Sequence, residues 1–437
     1  MVARCDVARA DRHDVELPDR RGATCGNTRR ARGTASRGEC AMKTFLKWTS
    51  RVLIVIAGLT VSLALAIWIA DPAVLRNMAF GPRMGDVVEL ERMQPQEAVP
   101  GVARADLPQA PADTIAPEGL ATAERYAART NSVALLVWHR GALRYEKYWP
   151  GFGPDTRTNP NSGHKTVLGL LVGLAIEDGY IKSVDERASN WITEWRNDAR
   201  KDITVKDLLQ MSSGLEIPKF GRWTSTRITL GSDLSASVLG LQVDTPHGSE
   251  FQYSNANAQL LTLLVERASG KRYAQYLSER LWSRLGTGTA AVWLDREGGM
   301  PRGFCCLFAS ARDWLRVGLL FLDRGRAGGE QIVPEQWIND MTTPAKTNPN
   351  YGYQVWLGSP PGRERMYNKF SPAKAFHSEP FAARDMIYVD GFGGQRVYVV
   401  PSLELVIVRT GEAKTDWDDA IVPNAIIRAL RSVGGAQ

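Results

Sequence analysis

Residues 161–180 read NSGHKTVLGLLVGLAIEDGY. Behind Ser162 and Lys165 runs an almost unbroken apolar segment to Ile176, ended by Glu177, Asp178 and Gly179. A helix that is apolar on every side is a buried one, and Gly179 stands where a left-handed residue closes a helix. The segment therefore predicts a central core helix. Residues i and i+3 share a helix face, so the Ser162 hydroxyl and the Lys165 amine meet near its N-terminus. There the helix dipole and free N–H groups favour the negative charge that builds up in acyl transfer. Ser-x-x-Lys alone does not define a site. A second occurs at Ser371 and Lys374, but no apolar run follows it and Pro380 stops any helix, so it reads as a loop.

The chain around this helix has 437 residues, 44% of them hydrophobic, which is enough for a large core and two lobes about one site. Its formal charge of +7 is no basic patch: nine arginines against six acids fall within residues 1–41, and no basic run follows. Nucleic acid is not an expected partner. Residues 1–41 lack periodicity and hold Cys5, Cys25 and Cys40. Six acids argue against a transit peptide, which should be poor in acid. The segment reads as a disordered extension or as translated sequence ahead of a true start at Met42, the second being favoured. Lys43, Lys47 and Arg51 then precede nineteen uncharged residues, 52–70, about the length that crosses a bilayer. Residues 42–71 are thus a signal anchor, and the positive flank puts everything after it outside the cytoplasm. The expected location is a bacterial inner membrane with the rest of the chain in the periplasm. Ala64, Leu65 and Ala66 offer the alternative of a cleaved signal peptide and a secreted protein.

Residues 72–116, rich in Pro, Gly and acids, read as a linker. From residue 117 to 437 the pattern is α+β: a helix at 118–129, strands at 132–140 and 143–149, helices over most of 180–290, then strands at 353–357, 385–389, 396–400 and 403–409 and a last helix at 417–433. Strands at both ends with helices between them predict one antiparallel sheet flanked by helices, plus an all-helical lobe, with the site in the cleft. Residues 216–233 show no regular pattern and are expected to form a lid, with Trp223 facing the pocket. Cys305 and Cys306, in GFCCLF, are expected to be buried thiols on a strand.

Lys165 can act as general base towards Ser162 if burial lowers its pKa. Tyr253 is a second group for the proton path, and Asn255 is placed to orient Lys165 or to hold a substrate carbonyl; Tyr253-Ser254-Asn255 is the one Tyr-x-Asn among twelve tyrosines. Asn255 also reads as the N-cap of the helix after it. The turn Asp390-Gly391-Phe392-Gly393-Gly394-Gln395 lets a substrate approach the backbone closely. The amides of Ser162 and Phe392 are the expected oxyanion donors, with Gly391 beside them. His164 is given no role. No His-Glu-x-x-His or Gly-x-Ser-x-Gly occurs, so neither a metal site nor a cofactor is called for.

In this order and spacing the pieces resemble the serine beta-lactamase-related hydrolases, the branch holding class C beta-lactamases, D-alanyl-D-alanine carboxypeptidases, family VIII esterases and 6-aminohexanoate-dimer hydrolase. SGHK at 162–165 matches the nucleophile motif and YSN at 253–255 the second; ITVKDLLQMSSGL, FQYSNANAQLL and FASARDWLRVGLLFLDRG also look like family segments. The resemblance spans residues 118–435. It implies a beta-lactamase/transpeptidase-like fold, with Ser162 as acylated nucleophile, Lys165 as its base and Tyr253 as the acid–base partner that protonates the leaving group. Where penicillin-binding relatives carry Lys-Thr-Gly or His-Thr-Gly, this chain has Val389-Asp390-Gly391. The cation that grips a substrate carboxylate is missing, and the GFGGQ form is closer to the 6-aminohexanoate-dimer hydrolase side. The expected function is an exported, membrane-anchored serine hydrolase acting on a small ester or linear amide. The alternatives are a carboxypeptidase or beta-lactamase, or an envelope binding module of the same fold without chemistry.

Overall fold

The computed structural model describes residues 33–431 apart from 84–85, 103–105, 220 and 372–373; for 33–40 it describes the backbone alone. Two units are distinguished, Met1–Leu65 and Ala66–Gln437. A helix spans Gly33–Ala70, and its part Ala41–Ala70 is long and apolar enough to cross a membrane. It begins ahead of Met42, so the lack of periodicity at 33–41 does not prevent helix formation there. The reading of residues 1–32 lies outside the described residues.

Residues 72–116 are not a bare linker. Helix Pro72–Phe80 is followed by strand Gln96–Val99, which pairs antiparallel with Ala290–Trp293. Further on, Leu143 donates its amide to the Pro108 carbonyl at 2.8 Å. Short pieces docked through backbone hydrogen bonds leave no periodicity in the sequence, which is why composition suggested a tether.

The main sheet has six antiparallel strands in the order Ala142–Tyr148, Ser132–His139, Leu405–Gly411, Gln395–Val400, Ile387–Gly391, Trp356–Leu357. The two ends of the domain therefore build one sheet, as the order of strands predicts. Side chains alternate across it. Leu136, Val397, Val399, Val406 and Val408 join the core that contains Trp314 and Leu315 of helix Ala311–Leu322. Leu135, Val137, Tyr398 and Ile407 face a second core with Ala123 and Tyr126 of helix Pro117–Arg129 and Val422 and Ile426 of helix Ile421–Arg428. This last helix is shorter than the amphipathic pattern at 417–433 suggests; Trp417, ahead of it, packs tilted against Tyr126 with ring centroids 4.9 Å apart.

Residues 301–306 form a turn rather than a strand, which begins only at Leu307 (Leu307–Ser310). Cys306 is held at a φ of 73° there, and it forms a vicinal disulfide with Cys305 in place of two separate thiols. An alternating strand would have kept the two sulfurs on opposite faces; the turn brings them together.

The core helix spans His164–Glu177, with every residue from His164 to Ala175 buried. Its two glycines are sites of close approach. A Cβ on Gly173 would lie 2.2 Å from the Trp337 indole, whose Nε1 donates to the Gly169 carbonyl at 3.1 Å. Overpacking of this kind costs about 1–3 kcal/mol. Gly173→Ala should therefore lower the midpoint of thermal unfolding, despite the better helix propensity of alanine, and an unchanged or higher midpoint would show that Trp337 moves aside freely.

Candidate active site

A short 3-10 turn, Asn161–Gly163, feeds the core helix and carries Ser162 at its middle. Asn161 has a φ of 50°, a left-handed conformation that asparagine tolerates better than most residues. Its Nδ2 donates to the Phe392 carbonyl at 3.0 Å, and its amide donates to Asn159 Oδ1 at 3.0 Å. Asn161 thus ties the serine turn to the loop of the β-hairpin at 387–400. It was not singled out from the sequence, although an asparagine directly before the serine is the type that a left-handed position calls for.

Lys165 is 1% exposed. Its Nζ lies 2.9 Å from Ser162 Oγ, donates to Asn255 Oδ1 at 2.9 Å and to the Phe304 carbonyl at 2.8 Å. Burial lowers its pKa to about 7, against a smaller opposing pull from the Asp390 carboxylate. A neutral amine has two N–H donors and one lone pair. Asn255 Oδ1 and the Phe304 carbonyl can only accept, and the serine hydroxyl can donate, so the three partners match the neutral form.

Tyr253 is buried with its ring 4.9 Å from Lys165 Nζ, and it lines the same cavity as Ser162. Burial, reinforced by the Asp390 carboxylate, raises its pKa, and the nearby Ser162 hydroxyl offsets this only in part. The two groups flanking Ser162 are thus pushed apart, the amine towards its neutral form and the phenol towards staying protonated. Such divergence separates a base from an acid. Asn255 does not cap its helix: Ser254 Oγ accepts from the Ala256 amide at 3.2 Å, which leaves the Asn255 amide group for Lys165.

The hairpin residues divide. Phe392 lines the cavity in front of Ser162, whereas Gly391 does not. A Cβ on Gly391 would lie 1.9 Å from the Pro160 carbonyl, so this glycine lets the strand pass directly behind the serine turn. Asp390, read from the sequence only as a missing cation, is the centre of a buried charge cluster. Its carboxylate accepts from Arg365 Nη2 at 2.7 Å and from the Tyr367 hydroxyl at 2.9 Å, and Arg396 Nη1 lies 2.7 Å away. Arg396 Nε also donates to Asp419 at 2.6 Å. Burial would raise the Asp390 pKa, but the Arg396 and Arg365 guanidinium groups outweigh it and hold the carboxyl below the usual range.

The cavity has a volume of about 310 Å³ and is lined by Ser162, Tyr253, Asn255, Tyr367, Asp390 and Phe392 on one side and by Ile217, Pro218, Ser225, Ile228 and Thr229 on another. Among the described residues lining it there is no Lys, Arg or His. The expected lid does wall the cavity, with helix Trp223–Leu230 inside a segment that shows no pattern in sequence. Trp223 itself is 41% exposed and does not line the cavity. Ser371 lies at the rim in a loop, while Lys374 pairs with Glu364 at 2.7 Å, so the second Ser-x-x-Lys forms no serine–lysine constellation. His164 is buried, its Nε2 2.8 Å from the Tyr273 hydroxyl and its Nδ1 bonded to the Cys305 carbonyl.

The beta-lactamase family model matches residues 118–428. The 6-aminohexanoate-dimer hydrolase of Paenarthrobacter ureafaciens is 30% identical over 224 residues, 48% of this chain, and the chain spans 56% of that relative's length. Among solved structures, a Bacillus anthracis protein provisionally named a 6-aminohexanoate-dimer hydrolase superposes with a TM-score of 0.65 at 21% identity, covering 78% of this chain and 92% of its own. A penicillin-binding protein from Bacillus halodurans gives a TM-score of 0.54 at 17% identity, covering 71% and 100%. At these identities the two structures are similar in fold alone.

If the neutral amine of Lys165 activates Ser162, phosphonylation by a fluorophosphonate will speed up with rising pH, with a midpoint near the pKa of about 7. Lys165→Arg, which stays protonated, should slow it on the order of 10²–10⁴-fold. A flat pH profile, or a fast arginine variant, would remove Lys165 from the role.

Proposed function

This chain belongs to the beta-lactamase family, and from that membership we propose that it is a serine hydrolase cleaving an ester or linear amide through an acyl-enzyme on Ser162. The contact of Lys165 Nζ with Ser162 Oγ, 2.9 Å inside a buried site, is the observation that carries this reading. Neutral Lys165 takes the Ser162 proton as Oγ attacks the substrate carbonyl. The amides of Ser162 and Phe392, two residues that line the cavity, are the pair to hold the oxyanion, whose charge develops only as the reaction proceeds. Tyr253 donates its phenolic proton to the departing alcohol or amine, and the Lys165 ammonium returns a proton to it. Water then attacks the acyl-enzyme, gives a proton to the same pair, and Ser162 leaves protonated.

The lining supports an uncharged substrate. Arg365 and Arg396, the nearest guanidinium groups behind Asp390, already serve that carboxylate and Asp419. A substrate carboxylate entering the cavity would meet Asp390 without a free cation beside it, which disfavours a penicillin or a peptide terminus. The name of the Paenarthrobacter relative, a hydrolase of an amide-linked dimer, favours the linear amide. We further propose that the enzyme lies on the outer side of a membrane, anchored through the uncharged residues 52–70 behind Lys43, Lys47 and Arg51.

Turnover of p-nitrophenyl butyrate, a short linear amide and nitrocefin by the whole chain, with Ser162→Ala as the blank, tests the proposal. Ester or amide hydrolysis with little nitrocefin turnover is expected. Dominant nitrocefin turnover would move the protein to the beta-lactamases, and no turnover with no acylation of Ser162 would leave a binding module.

A further inference from the structure

The segment that follows the apolar helix is built into the wall of the cavity. Asp71 is 2% exposed. Its carboxylate accepts from the Ala73 amide at 3.1 Å, capping helix Pro72–Phe80, and from the Ser232 amide at 3.1 Å and hydroxyl at 2.9 Å. Arg227 Nε lies 3.6 Å from the same carboxylate. Farther along that helix, Asn77 Nδ2 donates to the Leu230 carbonyl at 2.7 Å.

Apart from Ala73, these partners belong to helix Trp223–Leu230 or to the two residues after it. The last carbonyls of a helix have no partner within it. Here Asn77 takes Leu230, while buried Arg302 takes Ile228 at 3.0 Å and Gly231 at 2.9 Å. The other end of the helix is looser: Arg222 makes no side-chain cap and Trp223 is exposed. A helix of eight residues does not hold its place by itself. Ser225, Ile228 and Thr229, at i, i+3 and i+4, share one face and present it to the cavity. The position of that face is therefore set from residues 71–77 and from Arg302.

We propose that Asp71 and Asn77 are positioning residues that fix the wall helix and so select the acyl groups that reach Ser162. The N-terminal segment is on this account part of the binding site. Selection by acyl size rests on the acyl-enzyme reading above; the clamp on the helix does not.

The test uses the full chain and its Asp71→Ala, Asp71→Asn and Asn77→Ala variants, with p-nitrophenyl acetate and p-nitrophenyl hexanoate. The ratio of the two kcat/KM values is independent of the fraction of enzyme that is folded. It should shift about tenfold in the alanine variants, the scale of one lost hydrogen bond, and less in Asp71→Asn, which can still cap and accept. Amide hydrogen exchange over residues 223–231 should quicken in the same variants while that of the core helix stays slow. An unchanged ratio overturns the selection, and unchanged exchange overturns the clamp. If Asp71→Ala does not fold, Asn77→Ala gives both readings. If the wild type turns over neither ester, the acyl-enzyme reading fails, and exchange still decides the clamp.

Discussion

A lysine amine buried against three oxygen atoms is the constraint on which the rest of this site depends. Left charged, Lys165 would satisfy its three N–H groups with Ser162, Asn255 and Phe304, yet it would do so without the water that stabilises an ammonium ion. With its pKa brought to about 7, the amine is free of its extra proton over much of the neutral range, and the contact with Ser162 then runs from hydroxyl to lone pair. The same burial acts on Tyr253 in the opposite sense. One desolvated pocket thus prepares a base and an acid on either side of one hydroxyl, with no change of residue type needed.

The fold supplies that desolvation from three directions. The core helix buries Lys165 from its own side, helix Asn255–Ser269 delivers Asn255 once Ser254 has taken the cap, and the turn at 301–306 brings the Phe304 carbonyl. The β-hairpin at 387–400 closes the back, where the absence of a side chain at Gly391 lets it meet Pro160. Asp390 opposes the depression of the Lys165 pKa, less strongly than burial drives it, and its two arginine partners hold that carboxylate charged. Removing one arginine would leave a carboxylate both buried and undercompensated beside the base. The cluster is therefore tied to the chemistry without entering the cavity as a cation.

Parts of this were readable from sequence because they rest on local rules. The meeting of Ser162 with Lys165 follows from a three-residue spacing, the buried helix from an apolar run, and the sheet of both termini from the order of strands. Contacts that join distant segments rest on weaker signals: Tyr253 and Asn255 stood out as a single Tyr-x-Asn, and the resemblance gave Tyr253 its role. The Phe304 carbonyl was not readable: no motif announces it, and the turn that carries it looks like a strand. Arg365 and Tyr367 come from a stretch without periodicity, so Asp390 showed itself only as a missing lysine. The same blindness turned residues 72–116 into a tether, and it put Trp223, a large side chain on an irregular segment, inside a pocket that Ile217, Ser225 and Ile228 in fact line.

The protonation of Lys165 in the resting protein is the quantity on which the account turns, and NMR titration of a 13Cε-labelled lysine reads it directly. Labelled chain and its Ser162→Ala variant would be followed across pH, with Lys165→Arg used to assign the resonance. A midpoint near the value of about 7 is expected in the wild type. A resonance that stays protonated through pH 9 and titrates as an ordinary lysine, about 10.4, would contradict it and would require another base for Ser162.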